Sequence, residues 1–172
     1  MKKILASMMI ASALALSAQA ADVSAKITDV HICCQSCVKG IQKAMAEVQG
    51  ASVAVDQDAE TVTLTAADTA TVQKAADALV AAGYYGKSSD DSIKINADTG
   101  AKNEKVQTLK IKGVHLCCGK CVKALNEALA TVPGVKANTA KKGTEPFEVT
   151  GDFNDKDVFD ALQKAGLTGK VE

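Results

Sequence analysis

Every cysteine and every histidine of this 172-residue chain lies in one of two matching stretches, His31-Ile32-Cys33-Cys34-Gln35-Ser36-Cys37 and His115-Leu116-Cys117-Cys118-Gly119-Lys120-Cys121. Three thiols and an imidazole at the same spacing, twice over, form a soft donor set. Thiolates select Cu(I) and other thiophilic ions, and thiolates with imidazole suit tetrahedral Zn(II). A C-x-x-C pair wrapped around the start of a helix brings two sulfurs together. The helix's free N–H groups and positive dipole end favour thiolate there, the form that binds metal. The expected ligands are Cys33, Cys34, Cys37, Cys117, Cys118 and Cys121, with His31 and His115 as further donors.

A structural disulfide framework explains the pattern poorly. The six cysteines fall three and three, so one disulfide per stretch leaves a thiol over. Adjacent cysteines also pair badly, because a disulfide wants Cα atoms about 4.4–6.8 Å apart and neighbours sit at about 3.8 Å. Two other readings compete. Cys34 with Cys37, and Cys118 with Cys121, could cycle as thiol–disulfide pairs. A unit of this size is short for a thioredoxin-like fold, however, and the first half has no proline to form the usual cis-proline loop. Alternatively, metal could bridge the two stretches within one chain or between two chains, six thiolates then holding a multinuclear Cu(I) cluster.

The elements that position these residues are repeated. From Val30 to Gly50 against Val114 to Gly134, 11 of 21 positions are identical without a gap. In the first unit, Ala25 to Ile32 alternates as a strand, and Cys37, Ile41, Ala44, Met45 and Val48 recur at helical spacing up to Gly50. Val53 and Val55, then Val62 and Leu64, read as a hairpin. Val72, Ala75, Ala76 and Leu79 form a second helix closed by Gly83, with a short last strand between Tyr84 and Ile95. In the second unit Val106 to Leu116 is the strand, and Cys121, Leu125, Ala128, Leu129 and Val132 form the helix face. Phe147 and Val149 belong to a strand, and Val158, Phe159, Leu162 and Ala165 to the last helix. The order β-α-β-β-α-β is that of a ferredoxin-like α+β fold, here in two tandem domains. In both strands the apolar Ile32 and Leu116 should turn inward, leaving His31 with Cys33, and His115 with Cys117, on the outward face.

Lys2 and Lys3, the apolar run Ile4 to Leu16 and the small-x-small end Ala18-Gln19-Ala20 read as a cleaved export signal over residues 1–20. The run is too short to span a bilayer, and no cysteine near the cut offers a lipid anchor. The expected mature protein is soluble and periplasmic or secreted. Its domains are residues 21–95 and 105–172, with the polar stretch 96–104 as linker. With 18 lysines, no arginine and 20 acids after the signal, the chain is slightly acidic, so nucleic acid and anionic membrane are not expected partners.

The element order, the C-x-x-C at the end of the first strand, the Gly50 and Gly134 breaks and the Ala82-Gly83-Tyr84 turn resemble the heavy-metal-associated (HMA) domain family. The family includes copper chaperones and the N-terminal domains of metal-pumping ATPases. The resemblance covers nearly all of both units. It implies a ferredoxin-like fold that binds a soft metal, usually Cu(I), through Cys34 with Cys37 and Cys118 with Cys121. It further implies exchange of that metal with a donor or acceptor protein and no enzymatic activity. Ile32 and Leu116 take the place of the family's packing methionine, and Tyr84 and Leu167 that of a residue covering the metal. The extra Cys33, Cys117, His31 and His115 depart from the family's pattern. They point to tighter, slower-releasing sites suited to buffering or detoxification, with one ion expected per domain. Lys39 and Lys123 recur two residues after the last cysteine, where a solvated helix face is the simpler reading.

Overall fold

Alternating burial of Ala25 and Ile27 makes β1 (Val23–Thr28) the centre of the first half. The computed structural model describes residues 22–143 and 145–172; the export signal read over residues 1–20 lies outside them. The first half continues with α1 (Gln35–Ala46), β2 (Ala51–Asp56), β3 (Thr61–Ala66), α2 (Thr69–Ala81) and β4 (Lys87–Ser88). The second half repeats the order as β5 (Lys105–Lys112), α3 (Gly119–Ala130), β6 (Val135–Asn138), β7 (Phe147–Asn154), α4 (Asp155–Lys164) and β8 (Lys170–Val171). Two four-stranded sheets result, β2-β3-β1-β4 and β6-β7-β5-β8, each antiparallel throughout. This mixed α+β arrangement with four helices is consistent with ferredoxin-like folds.

The helices cover one face of each sheet because their apolar residues recur every three or four positions. In α1 the buried stripe is Cys37, Ile41 and Met45; in α3 it is Cys121, Leu125, Ala128 and Leu129. The expected hairpin forms with Val53 opposite Leu64 and Val55 opposite Val62.

Both strands that lead into the cysteine loops stop earlier than their hydrophobic pattern suggests. Asp29 takes φ +61 and ends β1, and Gly113 takes φ +77 and ends β5. The residues that follow are loop, yet they keep an in–out alternation: Val30 and Ile32, like Val114 and Leu116, are buried. Val132, expected on the α3 face, lies beyond that helix in the turn before Pro133, although it is buried as expected.

Residues 96–104 run along the second sheet. The Thr99 carbonyl accepts from the Val171 N–H at 2.8 Å. The Lys102 and Glu104 N–H groups donate to the Asp155 carboxylate at 2.8 and 2.9 Å.

The two halves meet through the turn after the second helix of each. Tyr84 and Leu167, both fully buried, form an antiparallel bridge. On either side of it the Tyr85 N–H donates to the Gly166 carbonyl and the Thr168 N–H to the Gly83 carbonyl, each at 3.1 Å. The Gly166 carbonyl also accepts from the His31 N–H at 3.2 Å. Each turn therefore lies against the cysteine loop of the opposite half.

Candidate metal centre

The helix starts show where the chemistry is placed. Helices α2 and α4 begin conventionally: Asp68 accepts from the Thr71 N–H and Asn154 from the Lys156 N–H. Helices α1 and α3 begin at Cys34 and Cys118, neither of which makes a side-chain cap, and neither helix has an acidic residue in its first turn. Their free N–H groups and positive ends are left for sulfur.

Because the halves face each other, these two helix starts converge and the six sulfurs form one cluster. Within the first half, Cys37 Sγ lies 3.7 Å from Cys33 and 3.9 Å from Cys34. Within the second, Cys121 Sγ lies 3.6 Å from Cys117 and 3.7 Å from Cys118. Contacts between the halves are as short: Cys33 is 3.5 Å from both Cys118 and Cys121, and Cys37 is 3.5 Å from Cys117. Cys34 reaches Cys117 and Cys118 at 3.8 Å, and Cys37 reaches Cys121 at 3.9 Å. All six are free thiols. Cys37 and Cys121 are fully buried and the other four are half-buried. The sequence separates two sites; the fold joins them.

The electrostatics favour thiolate at chosen positions. Hydrogen bonding from the backbone N–H of Cys121, opposed by burial, brings the Cys118 thiol down to about 6. The adjoining Cys121 thiol, working against burial and helped by the His115 imidazole, holds Cys37 well below its ordinary value. The same contact with Cys37, and burial, push Cys121 up, so the pair keeps one proton between them. Burial and the Cys118 thiol raise Cys33 to about 12, and burial and Cys37 raise Cys117. Metal ions would displace these retained protons.

Strand alternation predicts outward-facing His31 and His115, but the opposite half half-buries both. The Nε2 atom of each is buried without a protein partner, so each imidazole keeps a free donor or acceptor. His31 has a ring nitrogen within 4.8 Å of the sulfurs of Cys33 and Cys121. Burial lowers its pKa and keeps it neutral, the form that ligates metal. His115 stacks on Tyr84 and also lies against the Cys37 thiol.

Tyr84 and Leu167 lie in the bridge that joins the halves, and the Tyr84 hydroxyl reaches the Cys37 carbonyl at 2.9 Å. Lys39 and Lys123 are exposed, and Lys123 pairs with Glu127 at 3.6 Å, so both belong to solvated helix faces. Sequence reasoning missed two supporting residues. Gly40 is the first: a methyl there would come within 2.5 Å of the Tyr84 hydroxyl and 2.8 Å of His115 Cε1. The aligned residue in the second half is Ala124, and the residue aligned with Tyr84 is the smaller Leu167, so the Gly40–Tyr84 pairing was an available signal. Asp155 is the second, and no motif marks it.

The donor set, its convergence and its orphaned imidazole nitrogens fit binding of a thiophilic metal ion. No family model and no curated relative matches the chain. Among solved structures, the N-terminal soluble domains of Bacillus subtilis CopA are similar at 19% identity and a TM-score of 0.31, over 89% of this chain and 95% of that one. The first two RRM domains of the yeast poly(U)-binding protein Pub1 are similar at 12% identity and a TM-score of 0.25, over 87% and 98%. Both superpositions are loose.

Proposed function

We propose that this chain is an exported, HMA-like protein that takes up soft metal ions and holds them at one centre built by both halves. Cu(I) is the first choice, with Zn(II) or a toxic thiophilic ion behind it. Its role is buffering, trafficking or detoxification in the periplasm or outside the cell, in exchange with a donor or acceptor protein. It is not an enzyme. The carrying observation is the convergence of six free thiols to separations of 3.5–3.9 Å. Soft thiolates select Cu(I), and ligands drawn from two interlocked halves release metal slowly, which favours holding over rapid hand-off.

The thiol–disulfide reading gains less support. A redox site poises one pair of sulfurs, whereas here Cys34 and Cys37 at 3.9 Å are no closer than sulfurs of opposite halves at 3.5 Å. No pair is singled out for oxidation.

The test is a competition between the reduced full chain and a Cu(I) chelator, alongside Cys34→Ser with Cys37→Ser. The double variant should lose most of the retained copper, including that which the second half would hold alone. Unchanged copper retention would falsify the assignment.

A further inference from the structure

The sulfur contacts close triangles and never a four-sulfur tetrahedron. Cys33, Cys37 and Cys121 form one triangle with sides of 3.5–3.9 Å, and Cys34, Cys37 and Cys117 another with sides of 3.5–3.9 Å. Cys33, Cys34 and Cys118 form a third and Cys117, Cys118 and Cys121 a fourth, their sulfurs all within 4.8 Å of one another. The centre of a triangle with 3.5–3.9 Å sides lies about 2.0–2.3 Å from its corners, close to a metal–thiolate bond of about 2.3 Å. The contacts also close Cys37–Cys117–Cys121 and Cys33–Cys118–Cys121, which share edges with these. The four above share corners and no edges, and in that set each of the six cysteines belongs to two triangles. Every thiolate is therefore placed to bridge two ions.

We infer that the six-cysteine centre takes a tetranuclear Cu(I) cluster, one three-coordinate ion on each of these four triangles, held by six bridging thiolates. The inference rests on the soft-metal reading above and specifies its cargo. Three-coordination by soft sulfur suits a monovalent d10 ion. Zn(II) asks for a fourth donor at each site. Among the described residues the further donors near the sulfurs are two, His31 beside Cys33 and Cys121 and His115 beside Cys37, so four tetrahedral sites would still lack at least two of their fourth donors. Charge agrees: six thiolates carry six negative charges, four monovalent ions cancel four of them, and the positive ends of α1 and α3 face the remainder. The arrangement also accounts for Cys33 and Cys117, which a two-cysteine site would leave idle.

Loading should be cooperative. The first ion displaces protons from thiols and fixes sulfurs that the next triangle shares, so each ion prepares the site of its neighbour. The decisive experiment is a titration of the reduced, full mature chain with Cu(I) under anaerobic conditions. It would be followed by native mass spectrometry and by X-ray absorption of the loaded protein. The expected result is a monomer that passes from zero to four ions with the intermediate species scarce. It should also show a copper–copper scattering shell, since ions sharing a sulfur lie no further apart than two metal–sulfur bonds, about 4.6 Å. Saturation at any other number, or ions without a copper–copper shell, overturns the cluster while leaving the soft-metal reading standing. A chain that retains no Cu(I) at all overturns both.

Discussion

Tyr84 stacks on His115 across the junction of the two halves, with ring centroids 4.5 Å apart and planes inclined by 28°. Its hydroxyl donates to the carbonyl of Cys37 at 2.9 Å. One side chain thus steadies a metal loop from each half, and burial with the surrounding thiolate charge keeps its phenol protonated. Tyr84→Phe removes the second donor to a carbonyl that keeps its place in the α1 ladder and should destabilise by about 0.5–1.5 kcal/mol. Tyr84→Ala also empties a fully buried site and should cost about 3–5 kcal/mol. Chemical denaturation of the metal-free, reduced protein reads both, and near-equal losses would argue against the packing role.

Gly166 sits at φ +74, its α-carbon pressed against the Asp29 and His31 backbone of the opposite half. Alanine there meets both a strained backbone and an occupied space. Gly166→Ala should destabilise by about 1–3 kcal/mol or part the halves. Parting would appear as faster alkylation of Cys37 and Cys121, the two buried thiols. A variant with unchanged stability and unchanged thiol protection would show that this turn is not what holds the sulfurs together.

Much of this centre is legible in the sequence because the signals are local. The C-x-x-C spacing, the helical stripe behind Cys37 and the glycine after each helix depend on residues within one or two turns of each other. The convergence of the two stretches is not local. It depends on Tyr84 and Leu167 pairing across 83 residues, and nothing in either turn names its partner. The strand ends were hidden for a different reason. Val30 and Ile32 keep their alternation after Asp29 has already turned the backbone, so the pattern of burial outlasts the ladder. The exposure expected for His31 and His115 fails for the same non-local reason, since the covering surface belongs to the other half.

Among the six thiols, Cys118 combines partial exposure with a pKa brought down to about 6. In the reduced, metal-free protein it is mostly thiolate at neutral pH, because a group is ionised above its pKa. Alkylation mapped by peptide mass should therefore mark Cys118 before Cys33, Cys117 or buried Cys121. Its rate should rise as the pH climbs through about 6 and level off above. If Cys33 reacts first, the helix N-terminus does not activate Cys118.

Asp155 is almost fully buried, at 5% exposure, where α4 meets the segment 96–104. Burial raises its carboxyl, but N–H donors from Lys102 and Glu104 outweigh that and hold it below the ordinary value of 3.8. A depressed folded-state pKa stabilises fully above the unfolded value and is lost as the pH falls through the lower, folded one. Asp155→Asn should thus destabilise by about 1–3 kcal/mol at neutral pH. It should also flatten the loss of stability below about pH 4. Paired acid and neutral denaturation curves decide it; parallel curves for the two proteins would remove Asp155 from the acid response.

The bridge between Tyr84 and Leu167 also fixes the molecularity of assembly. Two separate chains that each supplied three thiols would have to find one another, and their hold on metal would weaken on dilution. Here both partners travel on one polypeptide, so the encounter is intramolecular and its effective concentration is set by the tether. The cluster of thiols therefore stays whole at any abundance of the protein.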